Sequence, residues 1–290
     1  MNKINSIKHK IFEYLEMIKF EHTVFALPFA LAGMLLAKST GFPDIIAVIM
    51  VITAMVSGRT AAMSLNRLID ADIDKLNPRT QDRAIPAGKI KKISALVLAL
   101  ISFIILTLAT MQLPSICLKL LPMAIGILIL YSYTKRFTEL SHFVLGAALG
   151  AAATGGWIAV SGALTIPSVL WGIAVMFWVA GFDIIYAIQD IDFDREHKLF
   201  SIPAKLGAKN SLRLSKFLHV LTVLILAIIS FIYPQGFFYY FAIAFIAVMF
   251  IYEHSLINEN DLKKINIAFF NVNGYVSIAV FIFVLLNKLF

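Results

Sequence analysis

The sequence predicts an all-α, polytopic membrane protein with about nine transmembrane helices around a central cavity. Three observations carry that prediction. Of 290 residues, 60% are hydrophobic and only 14% charged, and the mean hydropathy is +0.86. That is too apolar for a soluble domain. Apolar runs recur along the whole length, each close to the roughly twenty residues needed to cross about 30 Å of hydrocarbon. They are uninterrupted, whereas a membrane β-barrel would show short alternating segments. Finally, lysines and arginines fall in blocks between the runs.

Residues 1–22 are amphipathic, with Ile11, Tyr14, Leu15 and Ile18 at helical spacing among Lys8, Lys10, Glu13, Glu16 and Lys19. We expect an interfacial helix lying on the bilayer. Lysines followed by an apolar run look superficially like a signal peptide. The polar stretch before that run is long, however, and Ala37-Lys38-Ser39-Thr40 is a poor cleavage site. The run is therefore the first, uncleaved span. The spans are expected at 23–38, 44–65, 93–113, 116–133, 139–161, 166–189, 214–233, 236–253 and 267–287. The first is short and is expected to recruit residues from around Phe20. Pro43, Pro114 and Pro167 stand at span ends, where they cost no helical hydrogen bond. Gly146, Gly150, Gly155 and Gly156 in the fifth span suit close helix–helix contact. No linker or soluble segment interrupts the pattern, so residues 1–290 are expected to form one domain. The single cysteine, Cys117, excludes an internal disulfide and a cysteine metal cluster.

Charge sets the expected orientation. One side carries 21 of the 25 lysines and arginines, and the other only Lys38, Lys119 and Lys288, with Arg59 inside a span. The positive-inside rule then puts the N-terminus in the cytoplasm and, with nine spans, the C-terminus outside. The expected location is the inner (cytoplasmic) membrane. The net charge of +8 reports these loops rather than nucleic-acid binding. Membrane lipids are the expected surroundings, and no protein partner is inferable.

Two acidic clusters follow even-numbered spans. Asn66, Asp70 and Asp74 are four residues apart and share one helix face, while Asp72 points elsewhere. That helix is expected to end near Asn77, because Pro78 disfavours helical geometry in the residue before it. Asp183, Tyr186, Asp190 and Asp194 share a second face. The step from Asp70 to Asp190 equals that from Asp74 to Asp194, a hint of an internal repeat. Carboxylates on facing helices repel one another unless cations lie between them. Mg²⁺ takes one or two carboxylates together with substrate phosphates, and arginine forks suit phosphate oxygens. Acidic pairs flanked by Arg79, Arg83, Lys135, Arg136 and Lys198 thus suggest a metal–diphosphate site. The plainer alternative is ordinary loop salt bridges among the same residues. Asp183 lies within an apolar span, where an ionisable group is costly and usually functional.

Asn66-x-x-x-Asp70-x-x-x-Asp74 followed by Arg79-Thr80-x-x-Arg83 resembles the first motif of the UbiA-type intramembrane prenyltransferases. Tyr186-x-x-x-Asp190-x-x-x-Asp194 resembles their second motif, and Tyr133-Thr134-Lys135-Arg136 a basic segment between the two. The resemblance covers the whole chain and is greatest, from Gly181 through Pro203, to 4-hydroxybenzoate polyprenyltransferases. It departs at Arg67, where many members carry an acid. It implies that Asp70, Asp74, Asp190 and Asp194 hold Mg²⁺ and are catalytic. Asn66, Arg79, Arg83, Lys135, Lys198 and Tyr186 would bind the diphosphate of a polyprenyl donor. Diphosphate departure would then leave an allylic carbocation that alkylates a hydroxyaromatic acid, facing the cytoplasm, in ubiquinone biosynthesis. Arg136 is assigned to the acceptor's carboxylate and counted as catalytic. A dihydroxynaphthoate acceptor on a menaquinone pathway is the nearest alternative. An ion-coupled secondary transporter would account for Asp183 and the hinted repeat, but not for the arginines.

Overall fold

The computed structural model describes residues 3–20 and 23–290; residues 1–2 and 21–22 of the expected interfacial segment lie outside the described residues. The helices are α1 (Lys3–Met17), α2 (Thr23–Ala37), α3 (Ile45–Ile69), α4 (Ala71–Asp74), α5 (Lys92–Thr110), α6 (Ser115–Thr134), α7 (Ser141–Ser161), α8 (Ile166–Ala187), α9 (Ile191–Glu196), α10 (Ile202–Ile232), α11 (Phe237–Ser255) and α12 (Asn273–Leu289). Among the described residues there is no β-strand. Among the described residues, eight helical stretches are long and apolar enough to cross a membrane, and α2, with 15 residues, is the short ninth. The molecule is a multi-pass membrane protein, and large apolar side chains cover its outside, Phe231 being 84% exposed.

Several boundaries differ from expectation. Lys19 adopts a left-handed backbone, φ 49°, just after α1, and residues 21–22, which would join Phe20 to the first span, lie outside the described residues. Helix α3 continues to Ile69 and α10 begins at Ile202, because hydropathy marks where side chains meet lipid and not where backbone hydrogen bonds stop. The chain turns within α10 at Gly207, φ 75°, a conformation open to glycine at little cost. The helix after α3 ends at Asp74 rather than near Asn77.

Tight packing follows the glycines. A Cβ on Gly146 would run into the Met176 carbonyl, one on Gly150 into that of Gly172, and one on Gly156 into that of Ala30. These contacts bind α7 to α8 on one side and to α2 on the other. Gly155 behaves differently, with nothing within 4 Å of a Cβ built on it. With Gly150 and Gly156 it lines an apolar cavity of about 500 Å³ bounded mainly by α3, α5, α6, α7 and α8.

At one end of the bundle the cation-rich loops meet. The Phe200 N–H donates to the Lys135 carbonyl at 2.8 Å, and Lys205 pairs with Glu139 at 2.8 Å. Helix α1 is anchored to the same end. Its last carbonyls have no partner within the helix, and arginines of α3 take up this region: Arg67 Nε donates to Met17 O at 3.2 Å, and Arg59 Nη2 to Lys19 O at 3.2 Å. Met17 and Ile18 pack against Ala71, Ile85, Ile90 and Ala95, while Ile11, Phe12 and Leu15 are exposed. Arg67, the departure from the family motif, thus serves as an anchor for α1.

Candidate active site

The first acidic motif sits where α3 gives way to α4. Asp70 closes α3 with φ −87° and ψ 0°, and Arg136 Nη2 donates to the Ile69 carbonyl at 2.8 Å. The chain tightens here but keeps its helical phase, since the Asp74 N–H still donates to the Asp70 carbonyl at 2.7 Å. Asn66 Nδ2 donates to Asp70 Oδ2 at 2.9 Å, as residues four apart on one face should. Arg136 also approaches Asp70 Oδ1 at 3.4 Å. Burial pushes the Asp70 carboxyl above the usual carboxylate range, against the opposing pull of Lys135.

Asp74 is buried, and Arg83 Nη1 donates to both its oxygens, at 2.7 and 2.8 Å. The loop carrying Arg79 and Arg83 is fixed by the Thr80 hydroxyl, which donates to the Asp74 carbonyl at 2.9 Å. Asn77 Oδ1 accepts from the Arg79 N–H at 2.9 Å. Asp72 points away; it is exposed and bonded to Lys92 at 2.8 Å.

The second motif begins at the end of α8, continues through a tighter turn at Ile188–Asp190 and enters α9. Arg79 reaches across to it with two nitrogens, Nε to Asp190 Oδ1 at 2.9 Å and Nη2 to Oδ2 at 2.6 Å. This is the bidentate fork geometry of strong arginine–carboxylate pairs. Burial would weaken the charged guanidinium of Arg79, but the hydrogen bonds to Asp190 outweigh that and hold its pKa above the usual value. The guanidinium lies 5.5 Å from the Tyr186 ring centre, and that ring stacks on Phe269 at 4.1 Å. Asp194 is held by Ser201, whose hydroxyl donates to Oδ2 at 2.7 Å. Ser201 also caps α10, accepting from the Ala204 N–H at 3.2 Å. The only sequence sign of it is a serine just before the Ile202-Pro203 helix start.

The structure therefore brings Asn66, Asp70, Asp74, Arg79, Arg83, Arg136, Tyr186, Asp190 and Asp194 to one end of the bundle. Lys135 lies within electrostatic reach of both Asp70 and Asp194. Lys198 is not drawn in: it is exposed, with φ 53°, and makes no ion pair among the described residues. One pair escaped the sequence reading. His142 Nδ1 is 2.7 Å from Asp183 Oδ2, which gives the intramembrane aspartate a partner on α7.

Among the described residues, no three acidic, histidine or cysteine side chains converge on one point. The donor set nonetheless suits a hard cation. Asp70 with Asp74, and Asp190 with Asp194, present carboxylates four residues apart, and Mg²⁺ asks for one or two of these plus phosphate and water rather than an all-protein cage. The apolar cavity lies alongside. Its lining includes Met63 and Tyr131, and Tyr131 is within electrostatic reach of Asp70 and Asp183.

A helical membrane bundle that joins an apolar cavity to paired carboxylates and arginines is the class of protein that handles a lipid with an anionic head. A profile of the UbiA prenyltransferase family matches residues 26–275, and the chain belongs to that family of prenyltransferases. It is 29% identical over 248 residues to a 4-hydroxybenzoate octaprenyltransferase of Vibrio atlanticus, covering 85% of this chain and 86% of that one. Among solved structures, the apo form of a UbiA homolog from Aeropyrum pernix K1 superposes with a TM-score of 0.83 at 35% identity, covering 92% of this chain and 98% of that one. A UbiA homolog from Archaeoglobus fulgidus bound to DMAPP and Mg²⁺ shares the fold at 17% identity, with a TM-score of 0.77 and coverage of 95% and 99%. The transporter alternative falls with the family.

Proposed function

We propose that this chain transfers a polyprenyl group from its diphosphate to a hydroxyaromatic acid of the 4-hydroxybenzoate type, in ubiquinone biosynthesis. The observation that carries this reading is the set of arginine-held carboxylates beside the apolar cavity. Arg79 on Asp190 and Arg83 on Asp74 are pairs that an arriving diphosphate can exchange. The guanidinium groups turn to phosphate oxygens, with which they form equally good forks, and the carboxylates are released for metal. Asp70, Asp74, Asp190 and Asp194 would hold Mg²⁺, which supplies Lewis-acid stabilisation of the departing diphosphate. Arg79 and Arg83 neutralise the charge that grows on the leaving oxygen as the C–O bond breaks and its electron pair goes to the diphosphate. Asn66 and Tyr186 orient Asp70 and Arg79, and Lys135 adds positive charge between the motifs.

The prenyl tail would lie in the 500 Å³ cavity, where water is excluded from the allylic cation. The electron-rich ring then attacks the cation and loses a proton. Arg136 gives one nitrogen to the Ile69 carbonyl and keeps the rest of its fork for the acceptor's carboxylate. The charge asymmetry supports an inner-membrane location with the N-terminus and this site at the cytoplasmic face.

The test is transfer of radiolabelled prenyl groups by detergent-purified protein, with Mg²⁺ and either 4-hydroxybenzoate or a dihydroxynaphthoate. We expect product with 4-hydroxybenzoate and none in excess chelator. Full activity in chelator, or product with the naphthoate alone, would overturn the reading. Arg136→Ala should raise the acceptor KM and leave that of the donor nearly unchanged.

A further inference from the structure

The pair His142–Asp183 is not used by the diphosphate chemistry. His142 is the second residue of α7 and Asp183 lies in the last turns of α8. His142, Gly146 and Gly150 fall at intervals of four on one face of α7, and both glycines press on the backbone of α8. The pair thus continues the closest helix contact in the bundle, and the spacing between the two backbones fixes the reach of its side chains.

The histidine side chain is 1% exposed and the aspartate 19%. Among the described residues, Asp183 Oδ2 is the one polar partner of the imidazole, since the buried Nε2 has no hydrogen-bond partner there. A buried polar ring held by a single bond adds little to the fold beyond that bond. Its effect is to fix the Asp183 carboxylate while leaving part of it open. Both groups lie close to the site: His142 is within electrostatic reach of Asp194, and Asp183 of the cavity-lining Tyr131.

Depth decides the role. Asp183 precedes Asp190 by seven residues, roughly 10 Å along a helix axis towards the apolar interior. A prenyl diphosphate must place its charged head at Asp190 and its tail in the cavity. The carbon that leaves the diphosphate, and the ring that attacks it, then sit between those two levels. We propose that Asp183, positioned by His142, is the base that removes the ring proton after the new carbon–carbon bond forms. This rests on the transfer reading above. In that step the C–H bond of the alkylated ring breaks, its electron pair restores aromaticity, and the proton passes to the free Asp183 oxygen. The carboxyl passes it to water that enters as the products leave, before the next turnover. His142 touches no substrate; it is a positioning residue.

The test uses purified full-length protein with Mg²⁺, a prenyl diphosphate and 4-hydroxybenzoate deuterated at the ring positions next to the hydroxyl. Asp183→Asn should lower kcat by about a hundredfold or more, the range of a general base, with the donor KM unchanged. It should also develop a primary isotope effect absent from the unmodified protein, because ring-proton loss becomes the slow step. Asp183→Glu should restore part of the rate. His142→Gln, which keeps an N–H donor for the carboxylate, should lose less and show the same isotope effect. If Asp183→Asn does not fold, His142→Gln decides. Turnover of the variants within about tenfold of the unmodified protein, or any larger loss without an isotope effect, overturns the proposal. No transfer by the unmodified protein would instead refute the function itself.

Discussion

Two polar clusters lie inside this apolar bundle, and they are built in opposite ways. At the charged end, acids meet cations: Asp74 with Arg83, Asp190 with Arg79, Asp70 with Arg136. Their side chains stand on helix ends and loops, and the arginines are partly open to solvent. Deep between α8, α10, α11 and α12 lies the other cluster, which among the described residues holds a single acid and no arginine or lysine. There the Trp178 indole N–H donates to Asn273 Oδ1 at 2.6 Å, and Asn273 Nδ2 donates to Glu253 Oε1 at 2.9 Å. His219 links Trp178 and His254 through its two ring nitrogens, at 3.3 and 3.1 Å. If Nε2–H donates to the Trp178 carbonyl, a neutral Nδ1 is left to accept from His254.

Exchange and closure separate the two. Asn273 shows closure best: its amide also serves the Ala268 and Phe269 carbonyls at 3.0 and 3.2 Å. Those belong to the wider π-type turn at Ile267–Val272 that precedes α12, whose carbonyls are shifted off the ordinary helical ladder. Nothing in this network can leave without stranding a buried partner. On the proposed reading, the Arg79–Asp190 and Arg83–Asp74 pairs would instead give way to arginine–phosphate and carboxylate–metal contacts of similar strength.

The largest expected effect separates these two designs. Asp190→Asn and Asp74→Asn should each lower kcat by about a hundredfold or more, the scale on which a charge-stabilising group acts in the transition state. Thermal unfolding of the detergent-solubilised protein should change little, because Arg79 and Arg83 keep 31% and 26% of their side chains exposed, so water takes over the contacts each loses. A collapse of folding in step with activity would make these pairs structural and erase the contrast. Asn273→Leu should do the reverse. It strands the Trp178 N–H and the Glu253 carboxyl, each at a cost of about 1–3 kcal/mol. That is a fall in Tm on the order of 5 °C, with the rate per folded molecule retained. Unchanged Tm in a scanning measurement would show the network to be dispensable.

How far the sequence foretold all this follows the same division. The spans, the acidic motifs and the charge asymmetry were legible because each repeats a local rule: an apolar run, a spacing of four, a block of lysines. Asp183 stood out by its cost, but its partner His142 lies 41 residues away and nothing local announces it. The same holds for Ser201 on Asp194, visible only as a helix cap, and for Glu253, Asn273 and Trp178, whose contacts join separate helices. Arg67 read as an oddity within a motif because its partner, the Met17 carbonyl, is backbone. The ends of α3 and α10 were missed because the chain stays helical after it leaves the apolar layer.

Adjacent glycines give a smaller, sharper test. Both line the cavity, but a Cβ on Gly156 would strike the Ala30 backbone, whereas one on Gly155 meets nothing within 4 Å. Gly156→Ala should therefore lower stability without altering substrate choice. Gly155→Phe should fold and shorten the cavity, shifting kcat/KM from long towards short prenyl diphosphates by about tenfold or more. Competition between a long and a short labelled donor measures the ratio. An unchanged ratio would mean that the tail runs elsewhere.

Asp72 lies between Asp70 and Asp74 in sequence, and it is where the smallest effect is expected. Half a helical turn from its neighbours' face, it is fully solvent-exposed, and its partner is Lys92 at 2.8 Å. The Lys92 hydrogen bond and charge hold its carboxyl below the usual range. A lowered pKa implies a stabilising contribution that is present above the ordinary carboxylate pKa and lost on acidification. Exposure and salt reduce that contribution sharply: water and ions reach both groups, and exposed pairs contribute little. Asp72→Asn should consequently leave kcat, both KM values and the Mg²⁺ requirement unchanged, with at most a slight fall in Tm that vanishes in high salt. The measurement is the same transfer assay as for Asp74→Asn, run side by side. If Asp72→Asn proved as damaging as Asp74→Asn, then acidity of the loop as a whole, and not the helix phase that separates buried from exposed carboxylates, would govern the site.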